Sequence, residues 1–400
     1  MRTIPELSRE HIVDTCRVVL DRLRGSTLRK IHDSQGPVFY ISDTYPGVWL
    51  EHTYDPVIWM KMTGDPIPAI SHTKLFLAHQ KPDGQLPCYF FNGKVGYSQL
   101  QENVSFAQLC WEVWEHTGDR AYLEQVYNSC CRWDAWLCKN RMGSHGLIRV
   151  YFGFDTGHDH SSRFRDLRYP GNMGDERNAA EYPQGCDVAP LIAPDVNAVF
   201  FGGRQALAKM AAELGLPEEA ALWQEKAEQI RRKIYEYCWN EEDEFFYDVD
   251  KHGLQRKFTS IAITQLYHEG VLDQAHADRI FDRYFRDERH FNTYCPYPSM
   301  AASDSSFCKR ISGNDWGYYV QTLTMLRCTR WMKQYGYEEE YRRNLAIWLH
   351  DLTAGTGNFT QELDPLTGEY AHCAEWFGPT LLFILAAALE LGYIDRSFFA

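Results

Sequence analysis

The densest group of reactive side chains lies in residues 154–164, which read FDTGHDHSSRF. This segment carries two carboxylates, two imidazoles, hydroxyls and a guanidinium between phenylalanines. Titratable groups beside aromatic side chains are what an acid/base site requires, because burial shifts their pKa values into a working range. A second polar segment, residues 357–368 (GNFTQELDPLTG), lies far downstream. The interpretation of the chain depends on whether these two segments face one another.

Charge and aromatic content narrow the class of partner. The 400 residues carry a formal net charge of -13, without a basic cluster, which argues against a nucleic acid or an anionic membrane as partner. Aromatic residues make up 14% of the chain, and several sit in polar surroundings such as residues 49–55. Amphipathic rings in loops suit flat, partly apolar ligands. We therefore predict a small carbohydrate as the partner.

The chain shows no targeting or membrane signal. The first residues lack the apolar stretch of a signal peptide, and the most apolar run, residues 380–388, is shorter than the ~20 residues that span a bilayer. The twelve cysteines lack metal-type spacing, so we interpret them as buried free thiols in a reducing compartment. These observations predict a cytoplasmic protein, and they leave its oligomeric state open, a homo-oligomer included.

Helical periodicity dominates the chain, and helices recur in pairs joined by very short turns. Gly215 ends one predicted helix and Pro217 opens its partner, as expected for a tight helical hairpin. Short extended pieces lie between pairs, at residues 146–152, 245–249 and 359–362. Predicted helices cover residues 106–116 and 120–137, 196–214 and 217–237, 318–335 and 338–353, and 379–391.

Repeated hairpins with long polar connections predict an all-α fold. We expect one domain over residues 1–400, built as an (α/α)6 toroid, a ring of paired helices with short β pieces in the loops, whose loops converge at one mouth. The alternative is an open solenoid of helix pairs. A solenoid would show a fixed repeat period with similar loops, and the sequence has neither, which favours the toroid.

Several segments match, in order, the motifs of one known group of enzymes. Residues 154–164 are similar to W-E-(S/T)-G-W-D-x-S-x-R-W, and residues 359–368 to F-x-E-x-Y-D-P-x-T-G. The other matches are residues 49–51, 80–87, 194–198 and 312–316. The chain resembles the trehalase-like clan of (α/α)6-barrel glycoside hydrolases, in particular glycoside hydrolase family 63 and the mannosylglycerate/glucosylglycerate hydrolase group.

The resemblance implies roles for individual residues, with one departure at the catalytic base. Asp159 falls on the general acid of the family, whereas its base glutamate falls on Gln361, with Glu362 one residue later. A glutamine cannot take a proton from water, and neighbouring side chains of an extended segment point to opposite faces. The site is therefore silenced, or a bulge turns Glu362 inward, or the chemistry is altered. Ser312 and His158 also replace an arginine and a tryptophan of the family.

The same resemblance, together with the aromatic surroundings, implies a set of substrate-binding residues. We expect Arg163 to bind substrate or Asp155 rather than Asp159, since pairing with Asp159 would oppose an acid role. Gln80 and Asp83 have the alternative of shaping a turn, and Trp316 and Trp376 that of filling the core. The predicted set is Trp49, Glu51, Tyr54, Asp55, Gln80, Asp83, Asp155, His158, Arg163, Asn197, Trp316 and Trp376.

The resulting functional prediction is an inverting glycoside hydrolase of short α-glycosides, either α-glucosides or α-mannosides of disaccharide or glycosylglycerate type. Such enzymes place a protonated carboxyl and a carboxylate base ~6.5–9.5 Å apart around the scissile bond. Two alternatives stay open: a sugar epimerase or isomerase that uses His52, His158 and His160 as acid and base, and a non-catalytic sugar-binding protein, suggested by Gln361. We predict no cofactor and no metal, because neighbouring side chains in residues 158–160 diverge.

Overall fold

The computed structural model describes residue 2 and residues 8–30, 36–101, 103–166, 179–180, 188–311, 313–355 and 357–400. Helices dominate this part of the chain. They are α1 Arg9–Arg22, α2 Tyr54–Thr63, α3 Ile67–Ala78, α4 Phe106–Thr117, α5 Arg120–Asn140, α6 Pro194–Glu213, α7 Pro217–Cys238, α8 Thr264–His268, α9 Gln274–Ile280, α10 Thr322–Gln334, α11 Glu338–Thr353 and α12 Gly378–Glu390.

Six helices close into a ring. Helix α2 contacts α4, which contacts α6, and the series continues through α8, α10 and α12 back to α2. A second set, α1, α3, α5, α7 and α11, packs against this ring. Closure confirms the predicted (α/α)6 toroid, because an open solenoid would leave its first and last helices apart.

The predicted helical hairpins are present, and their turns follow the expected chemistry. Ser105 caps α4 by accepting a hydrogen bond from the backbone N–H of Gln108 at 3.2 Å. Gly118 ends α4 in the left-handed region with φ of 66°, and Asp119 caps α5. These helix boundaries are therefore set locally, through one cap and one glycine.

Short strands lie in the loops, as predicted, but they are shorter than the sequence suggested. The strands are β1 Leu28–Lys30, β2 Pro37–Phe39, β3 Gly47–Trp49, β4 Tyr89–Phe91, β5 Lys94–Gly96, β6 Arg149–Val150, β7 Leu191–Ile192, β8 Trp239–Asn240, β9 Phe245–Phe246, β10 Asp248–Val249, β11 Gln255–Arg256, β12 Val320–Gln321 and β13 Glu362–Leu363. Among the described residues, the largest sheet has the order β11-β10-β7-β6, and a three-stranded sheet has the order β3-β4-β5.

One strand pair differs from the predicted helix at residues 318–335. Residues 320–321 form β12, which pairs antiparallel with β13 and sets Gln321 directly opposite Glu362. Helix α10 consequently begins only at Thr322. The β12–β13 pair ties the second polar segment to the N-terminal end of an inner helix.

Within the part of the chain that the structure describes, no helix has both the length and the apolar composition needed to cross a bilayer. The apolar run predicted at residues 380–388 belongs to α12, which packs in the inner ring. None of the cysteines in this part forms a disulfide, and Cys308 is exposed rather than buried as predicted.

Candidate active site

A cavity lies at the N-terminal ends of the inner helices. Leu323 reaches it from the first turn of α10, Phe377 from the residue before α12, and Glu51 and His52 from the turn before α2. The two polar segments meet here, through Asp159 and Gln361. The lining residues are Ile41, Tyr45, Trp49, Glu51, His52, Gln101, Gly157, Asp159, Asn314, Trp316, Leu323, Gln361 and Phe377.

A larger cavity elsewhere does not mark the site. It measures about 640 Å³ and lies beside Arg2 and Tyr370. Its described lining residues include none of the predicted site residues. Chemistry rather than volume therefore identifies the smaller cavity as the candidate site.

Asp155 anchors the loop that carries Asp159. Its carboxylate is fully buried and pairs with both Nη atoms of Arg141, at 2.8 and 3.0 Å. Backbone N–H groups of Leu100, Tyr151 and Phe152 donate to the same carboxylate at 2.9–3.1 Å. A carboxylate with this many donors has no capacity left for a ligand. Asp155 was predicted to bind substrate, but it supports the loop instead and does not line the cavity.

Gly157 lets the loop pass close to the cavity floor. Its φ is 70°, and a Cβ at this position would collide with Oε2 of Glu51 and lie 3.0 Å from Nδ2 of Asn103. Both the left-handed backbone and the close approach require glycine here. The loop therefore brings Asp159 and Glu51 into one cavity.

Asp159 has the environment of an acid. Its Oδ2 accepts a hydrogen bond from Nδ2 of Asn314 at 2.8 Å, and its buried Oδ1 has no hydrogen-bond partner among the described residues. Burial, reinforced by the charge of Glu51, raises the pKa of Asp159 to about 8, and the Asn314 bond offsets this only in part. Asp159 is therefore mostly protonated at neutral pH and can donate a proton.

Gln361 lies opposite, joined to Asp159 through a single amide. Nε2 of Gln361 donates to Oδ1 of Asn314 at 3.0 Å, while Asn314 donates to Asp159. These two hydrogen bonds and the one amide between them keep Oδ2 of Asp159 and Nε2 of Gln361 within the upper end of the ~6.5–9.5 Å separation used by inverting enzymes. Among the described residues, Oε1 of Gln361 accepts only from the thiol of Cys373, at 3.5 Å, so it keeps capacity for a water.

Glu362 does not turn into the cavity. It is fully buried behind the cavity, where its Oε1 accepts from Nε2 of Gln321 at 2.6 Å and from the backbone N–H of Asp315 at 2.7 Å. Burial raises the pKa of Glu362 to about 7. The inward turn of Glu362 considered from the sequence is therefore not seen, because Glu362 does not line the cavity.

Glu51 forms part of the cavity floor. Its Oε2 lies 3.4 Å from Nδ2 of Asn103 and 3.6 Å from Nη2 of the buried Arg327. The neighbouring His52 bonds Asp55 through Nδ1 at 2.8 Å, so Asp55 supports His52 from behind. Tyr54 points into the ring against His268, with ring centroids 5.4 Å apart. The prediction that Tyr54 and Asp55 touch substrate is therefore wrong for this geometry, because neither lines the cavity.

Aromatic rings wall the cavity. Trp316 is buried and stacks on His158 with centroids 4.2 Å apart, so His158 supports the wall from behind instead of lining the cavity. Burial lowers the pKa of His158 to about 3, which makes it a poor proton acceptor. Trp49 packs on Phe91 at 5.4 Å and lines the opposite side.

Arg163 and Asn197 were predicted to bind substrate, and the structure corrects both. Nη1 and Nη2 of Arg163 bond Asp195 at 2.7 and 2.9 Å, and its Nε bonds Asp248 at 2.8 Å, all fully buried. Asn197 bonds the backbone N–H and C=O of Ile148 at 2.7 and 3.0 Å. Both side chains are buried, neither lines the cavity, and both hold loops in place.

Three more predicted contacts lie away from the cavity. Gln80 donates to backbone oxygens of Gly84 and Ser129, and the exposed Asp83 accepts from the N–H of Gln85, so both shape a turn. Trp376 packs under Arg22, whose Cζ lies 5.1 Å from the ring centroid, at the surface. Ser312, where the family has arginine, lies outside the described residues.

Four residues at or beside the cavity were not predicted from the sequence. Tyr45, Gln101 and Asn314 line it, and Gln321 lies behind Gln361. The only signal was for Asn314, which stands two positions before Trp316 in a matched motif. The other three come from segments without a motif, so only the fold brings them together.

The described residues contain no cluster of three or more His, Cys, Asp or Glu side chains suited to a metal ion. In the segment considered for a metal, His158 faces Trp316 and Asp195, while Asp159 faces Asn314. These side chains diverge, as their positions in the sequence suggested.

The fold and the cavity define a class of protein, an (α/α)6 barrel with a carboxyl acid in a pocket at one mouth. A family model described as the mannosylglycerate hydrolase MGH1-like glycoside hydrolase domain matches residues 60–380. The chain belongs to this family of glycoside hydrolases.

Solved structures share the fold. The GH63 mannosylglycerate hydrolase from Thermus thermophilus in complex with Tris is 18% identical, with a TM-score of 0.74 over 94% of this chain and 99% of that chain. The neutral trehalase from Saccharomyces cerevisiae is 14% identical, with a TM-score of 0.68 over 98% of this chain and 81% of that chain. Among curated proteins, an uncharacterized protein of Borreliella burgdorferi is 20% identical over 239 residues, or 59% of this chain, and the match spans only 44% of that relative's length.

Proposed function

We propose that the protein acts on short α-glycosides through an inverting site in which Asp159 is the general acid. The observation that carries this proposal is the setting of Asp159: a buried Oδ1 without a hydrogen-bond partner among the described residues, on a carboxyl whose pKa burial raises to about 8. A general acid needs a proton at neutral pH and an atom from which to deliver it. Asp159 has both, in a cavity walled by Trp49 and Trp316.

Gln361 occupies the side of the cavity where an inverting enzyme keeps its base. Its Oε1 can hold the attacking water, but an amide cannot take the water's proton. Glu362 is not placed to replace it directly, since it is fully buried and does not line the cavity. The chain as written should therefore bind an α-glycoside and cleave it slowly.

The substrate class follows from the relatives. One structural neighbour is named a mannosylglycerate hydrolase and another a neutral trehalase. We propose α-mannosyl or α-glucosyl units, with glycerate or a second sugar as the leaving group. The isomerase alternative has less support, because His158 is stacked and neutral, although His52 lines the cavity.

The test is to restore the base. Gln361→Glu should raise kcat on mannosylglycerate, glucosylglycerate or trehalose by ~10²–10⁴-fold, the usual contribution of one general base. Asp159→Asn in the Gln361→Glu background should remove this gain. Proton NMR of the first product should show the β-anomer, since inversion turns an α-glycoside into a β-sugar.

Product analysis separates the competing functions. A new reducing end indicates hydrolysis, an isomer of unchanged mass indicates an epimerase, and binding without product in both the unsubstituted chain and Gln361→Glu indicates a sugar-binding protein. Turnover that persists in Gln361→Ala but disappears in Glu362→Gln would contradict the assignment and give the base role to Glu362.

A further inference from the structure

Three amide side chains connect the cavity acid to the buried Glu362. Asn314, Gln361 and Gln321, called here the amide chain, are joined by hydrogen bonds of 3.0 and 3.2 Å, both donated by Nε2 of Gln361. One end of the amide chain donates to Asp159 at 2.8 Å, and the other donates to Glu362 at 2.6 Å. Each amide has one donor group and one acceptor atom, so the direction of each depends on its neighbour.

The backbone fixes the direction at the Glu362 end. The N–H of Asp315 donates to Oε1 of Glu362 at 2.7 Å, and a backbone N–H can only donate. This Oε1 is therefore purely an acceptor when Glu362 is ionised or carries its proton on Oε2, and Gln321 then presents Nε2 to it. Oε1 of Gln321 must then face Gln361, so Gln361 must donate to it through Nε2.

The direction reaches the acid at the other end. Because Nε2 of Gln361 also donates to Oδ1 of Asn314, Nδ2 of Asn314 faces Asp159 and occupies its Oδ2. A proton on Oδ2 would meet that donor, so the proton of Asp159 belongs on Oδ1, the atom without a partner among the described residues. In the reversed direction, the oxygen of Asn314 would accept the acid proton and hold it away from a ligand.

We propose that Gln321 and Glu362 are positioning residues, which act through the amide chain to keep the acid proton of Asp159 on Oδ1 and Oε1 of Gln361 free for the attacking water. The inference deepens the proposed function and rests on it for its catalytic meaning.

Other charges near the two carboxyls are part of the setting. Asp159 is faced by Glu51 from the turn before α2, with Arg327 of α10 behind Glu51. Glu362 is faced by Asp315. Tyr45, Cys373 and Lys309 also interact electrostatically with Glu362. Among these described groups, only Cys373 bonds an amide of the chain, through its thiol to Gln361.

The test measures the titration of Asp159 without any substrate. Aspartate carboxyls labelled with ¹³C report it by NMR, and Asp159→Asn assigns the signal. Gln321→Leu removes the acceptor that orients Gln361, so Asn314 can turn and stabilise the protonated acid. The pKa of Asp159 should then rise by about one unit, the size expected for a hydrogen bond to a charged group. Asn314→Leu, which removes the donor itself, should also raise the pKa of Asp159.

A matched variant separates direction from packing. Gln321→Glu supplies an oxygen to Gln361 and shares one proton with Glu362, as paired carboxyls do. At pH values where the introduced carboxyl of Gln321→Glu and Glu362 hold their shared proton, the titration of Asp159 should match that of the unsubstituted chain. At higher pH, where this pair of carboxyls loses the proton, the two titrations should differ. Gln361→Met also breaks the amide chain, at a cavity position, and should raise the pKa of Asp159 in the same direction. It takes the place of Gln321→Leu if Gln321→Leu does not fold.

The outcomes are decisive in both directions. A shift in Gln321→Leu and Gln361→Met, absent in Gln321→Glu, supports the positioning role even if no α-glycoside is ever cleaved. Equal titration of Asp159 in the unsubstituted chain, Gln321→Leu and Gln361→Met, or equal shifts in Gln321→Leu and Gln321→Glu at every pH, would overturn it. Failure of the hydrolase proposal is seen separately, in the product analysis of Gln361→Glu.

Discussion

Asp155 and Asp159 stand four positions apart in the sequence but lie in two different electrostatic settings. Asp155 pairs with Arg141 and accepts three backbone N–H groups, and the nearby Arg163 is enclosed by Asp195 and Asp248. Asp159 has one amide donor and a buried oxygen with no described partner. The first setting stabilises charge, whereas the second favours the neutral acid.

This difference teaches how to separate structural from chemical residues in one polar segment. A buried group with every hydrogen-bonding position filled holds the fold together, because breaking any bond leaves an uncompensated partner. A buried titratable group with an open position is available to a ligand. The residue types alone do not distinguish the two, since the aspartates are identical.

The largest expected effect is on the structural side. Arg163→Met would leave Asp195 and Asp248 buried without their cation, which should lower the free energy of unfolding by about 3–5 kcal/mol. Urea denaturation measures this loss. Arg17→Met, which removes an exposed pair with Asp14, is the matched control and should cost less than about 1 kcal/mol. A similar, small loss in both variants would contradict the assigned difference.

A smaller change, an increase in the free energy of unfolding, is expected when Asp159 is replaced by asparagine at high pH. The raised pKa of Asp159 means that the folded state binds this proton more tightly than the unfolded state. Its contribution to stability is complete below the ordinary aspartate pKa and is lost as pH rises towards about 8. Asp159→Asn has no proton to lose, so it should be more stable than the unsubstituted chain at pH 8.5, by on the order of a few kcal/mol.

Urea denaturation at pH 5 and pH 8.5 checks this expectation, because the advantage of Asp159→Asn should shrink at the lower pH. Asp195 should show the reverse dependence. The Arg163 guanidinium lowers the pKa of Asp195, so the contribution of this carboxylate disappears as pH falls, whereas burial raises the pKa of Asp248. A pH-independent difference between Asp159→Asn and the unsubstituted chain would mean that Asp159 is not held neutral.

The smallest effect concerns a residue that motif similarity placed in the site. Asp83 is exposed and accepts one hydrogen bond, from the N–H of Gln85. Asp83→Ala should lower the free energy of unfolding by only about 0.5–1 kcal/mol and leave the binding of α-glycosides unchanged. Calorimetric titration with mannosylglycerate, glucosylglycerate and trehalose compares the affinity of Asp83→Ala with that of Glu51→Gln. Glu51→Gln alters the cavity floor and should weaken binding. Equal weakening in both variants would return Asp83 to the site.

The sequence predicted what depends on local pattern and on the order of motifs. Caps such as Ser105 and Gly118 set helix ends, and the motif order paired Asp159 with Gln361. It did not predict the partners of Arg163, because Asp248 lies 85 positions away and nothing in its own neighbourhood indicates the pairing. It also missed Gln321, which a helical pattern assigned to α10. Pairing with Glu362 places it in a strand instead.

Gly157 has a consequence for how this cavity can change during evolution. The chain passes there so close to Glu51 that any side chain would collide with the carboxylate. A larger residue at position 157 needs a left-handed backbone and also a shorter or displaced side chain at position 51. The acid loop and the cavity floor are therefore coupled, so a change at either position constrains the other.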